Sequence, residues 1–134
     1  MHPIPQLRAG FLGLGAMGAP MAHHLHGAGF LKGVFNRTWE KAARFGEDHP
    51  EIFIAESPAS LATAVDVIFL CVSADRHVLE QIQAMTPSIR AGHIVIDCST
   101  VSRDTAIEAS NLLKGLGAHF FDAPVTGGVE GARN

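Results

Sequence analysis

Three glycines near the start of the chain have the spacing of a loop that can hold a phosphate group. They form the pattern G-x-G-x-x-G over residues 13–18. In such a loop the first glycine permits a tight turn, the second lets the backbone approach a pyrophosphate, and the third lets a helix pack closely. The N–H groups at the start of that helix attract anions. The pattern predicts dinucleotide contacts from Gly13, Leu14, Gly15, Ala16, Met17 and Gly18.

A second polar cluster, Asn36-Arg37-Thr38, stands where a carboxylate would select NAD by accepting a hydrogen bond from the ribose 2′-hydroxyl. This chain has no carboxylate there. Arg37 instead offers a planar, permanently charged guanidinium group that suits a 2′-phosphate. Asn36 and Thr38 can add hydrogen bonds to the same group. We therefore predict that the cofactor is NADP, with NAD less favoured.

Apolar runs and helix-ending glycines divide the chain into alternating strands and helices. Strands are predicted at residues 7–12, 33–36, 52–54, 66–72, 93–98 and 119–122, and helices at 16–28, 39–47, 58–64, 74–85 and 103–113. This alternation predicts a three-layer α/β fold, with six strands in a doubly wound parallel sheet of the Rossmann type. It places the glycine loop between a strand and a helix, which is the context that the motif needs.

Composition excludes several other functions. The 134 residues suffice for one domain, so we treat residues 1–134 as a single NADP-binding domain. The net charge is −3 and no basic run is present, so we expect no nucleic-acid partner. No apolar run is long enough to cross a membrane, and no signal-peptide pattern begins the chain. We therefore expect a cytoplasmic protein without a membrane partner. Cys71 and Cys98 lie in apolar runs, which favours free, buried thiols.

Three histidines on the first predicted helix raise the alternative of a metal site. His23 and His26 could share one face of that helix, with His24 beside them. No carboxylate or cysteine close to them in the sequence completes a set of ligands. We therefore expect surface histidines and assign no metal ligand.

Three segments together resemble the β-hydroxyacid dehydrogenase family, which includes 3-hydroxyisobutyrate dehydrogenase and tartronate semialdehyde reductase. They are FLGLGAMGAPMA at 11–22, DCSTVS at 97–102 and DAPVTGGVEGA at 122–132. The resemblance implies an NADP-dependent oxidoreductase that interconverts a small 3-hydroxy acid and its semialdehyde or oxo acid. His24 departs from the family's usual asparagine, and Thr126 from its usual serine.

The resemblance also implies roles for individual residues outside the glycine loop. Val72 and Ser73 correspond to a turn that contacts the adenosine side of the cofactor, and Thr100 to a threonine near the nicotinamide ribose. The segment Thr126-Gly127-Gly128 corresponds to the one that holds the carboxylate of the substrate, and Ser99 is a second-rank candidate for the same task. We expect a small carboxylate as the substrate.

The family's catalytic lysine has no counterpart in this sequence. The resemblance implies that this general acid/base lies on an all-helical domain after the dinucleotide-binding domain, and we expect that domain to be absent from this chain. Lys32, Lys41 and Lys114 do not match the lysine's motif, so no catalytic residue is assigned. We expect cofactor binding without turnover, and a full-length homo-oligomer formed through the helical domain. The alternatives are a non-catalytic NADP-binding module, an imine reductase or a 6-phosphogluconate dehydrogenase relative.

Overall fold

The structure is a computed structural model that describes residues 7–124, and it confirms the predicted α/β fold. Six parallel strands form one sheet in the order β3-β2-β1-β4-β5-β6. The strands are β1 (Ala9–Leu12), β2 (Leu31–Phe35), β3 (Phe53–Ile54), β4 (Val67–Leu70), β5 (Ile94–Asp97) and β6 (His119–Asp122). The helices are α1 (Gly18–Gly27), α2 (Trp39–Asp48), α3 (Pro58–Ala64), α4 (Asp75–Met85) and α5 (Arg103–Lys114).

Helices cover both faces of the sheet, which gives the three layers predicted. On one face Phe11 packs in a buried cluster with Ala22 of α1 and Phe45 of α2. The next residue of β1, Leu12, belongs to the opposite cluster with side chains of α3, α4 and α5. This alternation follows from the strand geometry, because successive side chains of a strand point to opposite faces. The apolar runs of the sequence are therefore buried from both sides.

A buried histidine fastens the start of β5 to the end of α3. His93 is 1% exposed, and its Nδ1 accepts a hydrogen bond from the N–H of Arg90 at 2.9 Å. Its Nε2 lies 2.9 Å from the carbonyl oxygens of both Ala62 and Val65. Since Nδ1 accepts, Nε2 carries the proton and donates to these carbonyls. The side chain thus satisfies three backbone groups at the sheet edge formed by the amino ends of the strands.

An ion-pair network lies at the same amino edge. Asp66 accepts two hydrogen bonds from the Arg8 guanidinium group, each of 3.1 Å, and a third from Arg90 at 3.2 Å. The hydrogen-bonded Arg8 guanidinium group lowers the pKa of the Asp66 carboxyl below its ordinary value. The network connects residues just before β1, β4 and β5, which are neighbouring strands of the sheet.

Two further sequence predictions can be compared with the fold. Cys71 and Cys98 are free, as predicted, although Cys71 is only partly buried. Burial raises the pKa of the Cys98 thiol to about 12 and also raises that of Cys71, so both remain protonated thiols at neutral pH.

Within residues 7–124, no helix combines the length and the apolar character needed to cross a bilayer.

Candidate dinucleotide site

A cleft of about 360 Å³ opens at the carboxyl ends of the strands. It lies where β1 and β4 are neighbours, which is the point where the order of the strands reverses. Open α/β sheets bind ligands at this position, and the volume is that of a small-molecule pocket. The residues around the cleft are Leu12, Gly13, Gly15, Ala16, Met17, Gly18, Asn36, Arg37, Thr38, Lys41, Cys71, Val72, Ser73, His77 and Gln81.

The three glycines of the loop differ in what a side chain would meet. A Cβ atom on Gly13 would lie 2.0 Å from the carbonyl oxygen of Cys71, and its φ of +105° already favours glycine. A Cβ atom on Gly18 would lie 1.8 Å from the carbonyl oxygen of Gly13. On Gly15 it would meet no atom of the described residues 7–124 within 4 Å. Gly13 and Gly18 therefore permit close backbone packing, whereas Gly15 leaves open space on the cleft wall.

The amide of Asn36 holds the glycine loop in place. Its Oδ1 accepts a hydrogen bond from the N–H of Leu14 at 2.8 Å, and its Nδ2 donates to the carbonyl oxygen of Thr38 at 2.9 Å. One side chain thus connects the loop after β1 with the turn after β2. The Leu14 side chain is buried in the core and does not line the cleft. Asn36 is therefore a positioning residue in this structure, and direct cofactor contacts of Asn36 and Leu14 stay predictions.

The end of the cleft beside β2 carries positive charge without a matching carboxylate. Arg37 and Lys41 both line it, and both are exposed. None of the ion pairs within residues 7–124 involves either side chain. Within residues 7–124, no aspartate or glutamate is among the lining residues. Thr38 stands at the N-cap position of α2 without a side-chain cap bond, so its hydroxyl is not used to begin the helix.

The turns after β4 and β5 form the opposite wall. Val72 and Ser73 line the cleft, as the prediction of cofactor contacts requires. Ser99 lies behind them and is 2% exposed, with its hydroxyl accepting a hydrogen bond from the N–H of Val72 at 2.8 Å. The observed role of Ser99 is thus to hold the β4 turn, and its substrate contact stays a prediction. Thr100 is exposed but does not line the cleft, and its nicotinamide contact also stays a prediction.

Asp97, at the end of β5, is buried beside this wall. Its Oδ1 accepts a hydrogen bond from the N–H of Ser99 at 2.9 Å. Its Oδ2 is buried and has no hydrogen-bond partner in the part of the chain that the structure describes. Burial raises the pKa of this carboxyl, although the hydrogen bonds from Ser99 oppose the shift. Burial of this carboxyl therefore disfavours its charged form.

Sequence reasoning missed several lining residues. Lys41 follows Arg37 by four residues and lies in the first turn of α2. This spacing is the feature of the sequence that could have indicated a second cation beside Arg37 in the cleft. His77 and Gln81 have the same four-residue spacing on α4, which places them on one side of that helix. The predicted substrate residues Thr126, Gly127 and Gly128 fall outside the described residues.

A carboxylate distant in the sequence lies beside one of the histidines. No carboxylate is close to His26 along the chain, yet Nε2 of His26 is 2.5 Å from Oε1 of Glu51. His49 also lies beside it, with the two ring centroids 3.7 Å apart. Both partners are more than 20 residues away in the sequence. The fold brings them together because α1 ends beside the segment that leads from α2 into β3. The expectation of surface histidines without a metal stays a prediction.

Known proteins are similar in sequence to nearly the whole of this chain. The chain is 32% identical over 123 residues to the human protein called cytokine-like nuclear factor N-PAC. The aligned residues cover 90% of this chain and 22% of that protein. An uncharacterised oxidoreductase of Shewanella frigidimarina is 38% identical over 130 residues, which cover 95% of this chain and 44% of the relative. The chain therefore spans less than half the length of these relatives.

A solved structure has a similar fold over nearly the whole of this chain. The 3-hydroxyisobutyrate dehydrogenase of Mycobacterium tuberculosis, solved with L-serine, superposes with a TM-score of 0.86 and 31% identity. The match covers 96% of this chain and 44% of that one. The family described as the NAD binding domain of 6-phosphogluconate dehydrogenase matches residues 8–134. The resemblance to β-hydroxyacid dehydrogenases is thereby confirmed, and the chain belongs to the family of the NAD-binding domain of 6-phosphogluconate dehydrogenase.

Proposed function

We propose that the chain is the NADP-binding domain of an oxidoreductase that transfers a hydride between NADP and a small 3-hydroxy acid. The observation that carries the NADP assignment is the pair of exposed cations, Arg37 and Lys41, which line a cleft that has no carboxylate from residues 7–124. A guanidinium group at this position suits a 2′-phosphate, and a second cation strengthens that preference.

The residues around the cleft fit the rest of a dinucleotide. The open space at Gly15 admits a pyrophosphate next to the backbone, at the start of α1, where the helix dipole favours an anion. Asn36 holds the loop in the conformation that makes this approach possible. When bound, the nicotinamide supplies or accepts the hydride. This chain's part is to bind and orient the cofactor.

The substrate class rests on the family. The Mycobacterium tuberculosis relative was solved with L-serine, which is itself a carboxylate with a hydroxyl on its third carbon. In this chain Thr126, with the N–H groups of Gly127 and Gly128, would hold the carboxylate. Oxidation of the hydroxyl also needs a general base, for which we assign no residue in this chain. The domain alone is therefore proposed to bind and not to turn over.

The cofactor assignment is tested by calorimetric titration of the chain with NADPH and NADH. Arg37→Ala is expected to weaken NADPH binding by about 10- to 100-fold, because a charge-assisted contact is lost, and to leave NADH binding unchanged. Arg44→Ala is the matched control, since Arg44 is exposed on α2 but does not line the cleft. Equal losses for both cofactors, or an equal loss in the control, would refute the assignment.

The substrate assignment is tested separately on the chain saturated with NADP+. Titration with L-serine or 3-hydroxyisobutyrate is expected to show weak binding that Thr126→Val reduces further. A chain that binds NADPH but neither acid would contradict only the substrate half of the proposal.

A second candidate function is a cofactor-binding module without catalysis. The observation in its favour is the 32% identity to a human protein named as a nuclear factor rather than as an enzyme. An assay of NADP+ reduction with 3-hydroxy acids, on the natural protein that contains this chain, separates the two candidates. Activity supports the oxidoreductase, and cofactor binding without activity supports the module.

A further inference from the structure

A compact group of four side chains lies far from the cleft. His23 and His26 come from α1, whereas His49 and Glu51 come from the connection between α2 and β3. Nδ1 of His23 is 2.8 Å from Nε2 of His49, and Nε2 of His26 is 2.5 Å from Oε1 of Glu51. His26, His49 and Glu51 each present one ligand atom, and these three atoms lie within 4.8 Å of one another.

We propose that His26, His49 and Glu51 bind a divalent zinc-type cation and that His23 positions His49. Two imidazole nitrogens and one carboxylate oxygen form a donor set typical of Zn²⁺, whereas Mg²⁺ and Ca²⁺ prefer oxygen atoms alone. Three ligands from the protein leave a fourth position for water. The site is independent of the dinucleotide cleft and of the function proposed for it.

The contact between His23 and His49 is compatible with the form of His49 that can bind a cation. When Nε2 of His49 donates to Nδ1 of His23, the other ring nitrogen of His49 keeps its lone pair. Histidine ligands of metals regularly donate their second ring N–H to a neighbour, which fixes the tautomer and the orientation of the ring. His23 is therefore a positioning residue for this site rather than a ligand.

The side chains must rearrange to close around an ion, because the His26 and His49 rings lie with their centroids 3.7 Å apart and must turn until a nitrogen of each faces the same point. Ligand atoms on a tetrahedral zinc ion lie about 3.3 Å apart, since each is about 2.0–2.2 Å from the metal. Oε1 of Glu51 must therefore move away from its 2.5 Å contact with His26. The Glu51 side chain is 62% exposed, so it has room to rotate. The His26 side chain is 27% exposed, so this residue too is partly open to solvent.

The position in the fold indicates what such an ion would do. His26 lies in the last turn of α1, and His49 is the C-cap residue of α2. An ion held between them would connect the ends of these two helices with the start of β3, which is the edge strand of the sheet. The ion would stabilise the folded state, because it would bind the three side chains as the fold arranges them and would not bind the unfolded chain. The cleft lies at the opposite, carboxyl edge of the sheet.

The test is a titration of the purified chain with Zn²⁺ in competition with a chromophoric chelator. We expect one tightly bound ion per chain, and a higher melting temperature when Zn²⁺ is present. His49→Asn and Glu51→Gln are each expected to weaken binding more than about tenfold, and His23→Asn by about 10-fold or more through the positioning effect. Glu51→Gln keeps the shape of an exposed side chain, so it separates loss of a ligand from loss of folding.

His24→Asn is the matched control. His24 is exposed on the same helix and is not among the three ligand residues. We expect its substitution to leave the Zn²⁺ affinity unchanged. A loss in this control equal to that in His49→Asn would overturn the proposal, because it would show general binding by surface histidines. So would an unchanged affinity in Glu51→Gln and His49→Asn, because the contacts would then be only a hydrogen-bonded cluster.

Discussion

The two edges of the sheet are constructed in different ways. At the carboxyl edge, the cleft is shaped by backbone geometry, with Gly13 and Gly18 packed against carbonyl oxygens and Asn36 bonded to the loop. At the amino edge, the contacts are between side chains far apart in sequence, such as Arg8 with Asp66 or His26 with Glu51. Close backbone packing demands particular residues at fixed spacing, whereas paired side chains demand only that the fold brings them together.

The largest loss of stability is expected from a substitution at the carboxyl edge. Gly18→Ala places a Cβ atom 1.8 Å from the carbonyl oxygen of Gly13, and neither backbone can move without shifting α1 or β1. We expect a loss of about 3 kcal/mol or more in the free energy of unfolding, at the upper end of overpacking effects. Urea denaturation measures this loss. A variant as stable as the wild type would show that the loop is not held by backbone packing.

The same difference between the two edges determines how much of the fold and of the cleft could be predicted from the sequence. Strand–helix alternation and the glycine spacing are local patterns, so the fold and most of the cleft could be read from them. The role of Ser99 could not, because its hydroxyl is used by Val72, 27 residues away. His77 and Gln81 were missed since their place on the cleft wall depends on how α4 packs. Glu51 was not predicted to lie beside His26, because the two residues are far apart in the sequence.

At the amino edge the largest expected effect is at His93. His93→Leu removes the hydrogen-bond partner of the Arg90 N–H group and of the Ala62 carbonyl oxygen. The Val65 carbonyl oxygen also loses its bond to His93 and keeps the 3.4 Å hydrogen bond from the Arg90 guanidinium group. We expect the free energy of unfolding to fall by about 3 kcal/mol, because unsatisfied buried polar groups are costly. NADPH affinity of the folded protein should not change, since the cleft lies at the other edge.

His119→Leu provides the control for His93. It makes the same substitution at an exposed position of β6, where we expect a change within about 0.5 kcal/mol. A large loss of NADPH affinity in folded His93→Leu would contradict the independence of the two edges.

A smaller effect, on binding rather than stability, is expected at Gly15. The added methyl group of Gly15→Ala would meet no atom of residues 7–124 within 4 Å, and the backbone there has no positive φ. Stability should therefore stay the same or rise by up to about 1 kcal/mol, as the unfolded chain loses freedom. The methyl group would occupy the space through which a pyrophosphate approaches, so we expect NADPH affinity to fall at least about tenfold. Calorimetry and urea denaturation of the same variant separate the two effects. Unchanged affinity would place the pyrophosphate elsewhere.

The smallest effects, opposite in sign, are expected from two carboxyl groups, one at each edge. Arg8 lowers the folded pKa of Asp66, so its stabilisation is present above the ordinary value of 3.8 and is lost as the pH falls through the folded pKa. Burial raises the folded pKa of Asp97, so its stabilisation is present below 3.8 and is lost as the pH rises through the folded pKa. Relative to the wild type, Asp66→Asn should therefore be most harmful at neutral pH, and Asp97→Asn most harmful in acid. Urea denaturation between about pH 3 and pH 7 measures both pH trends.

The same pH trend in both variants would contradict this prediction. It would mean that Oδ2 of Asp97, which has no hydrogen-bond partner within residues 7–124, is charged in the folded protein. A cationic or hydrogen-bonding partner for this oxygen would then have to come from outside residues 7–124.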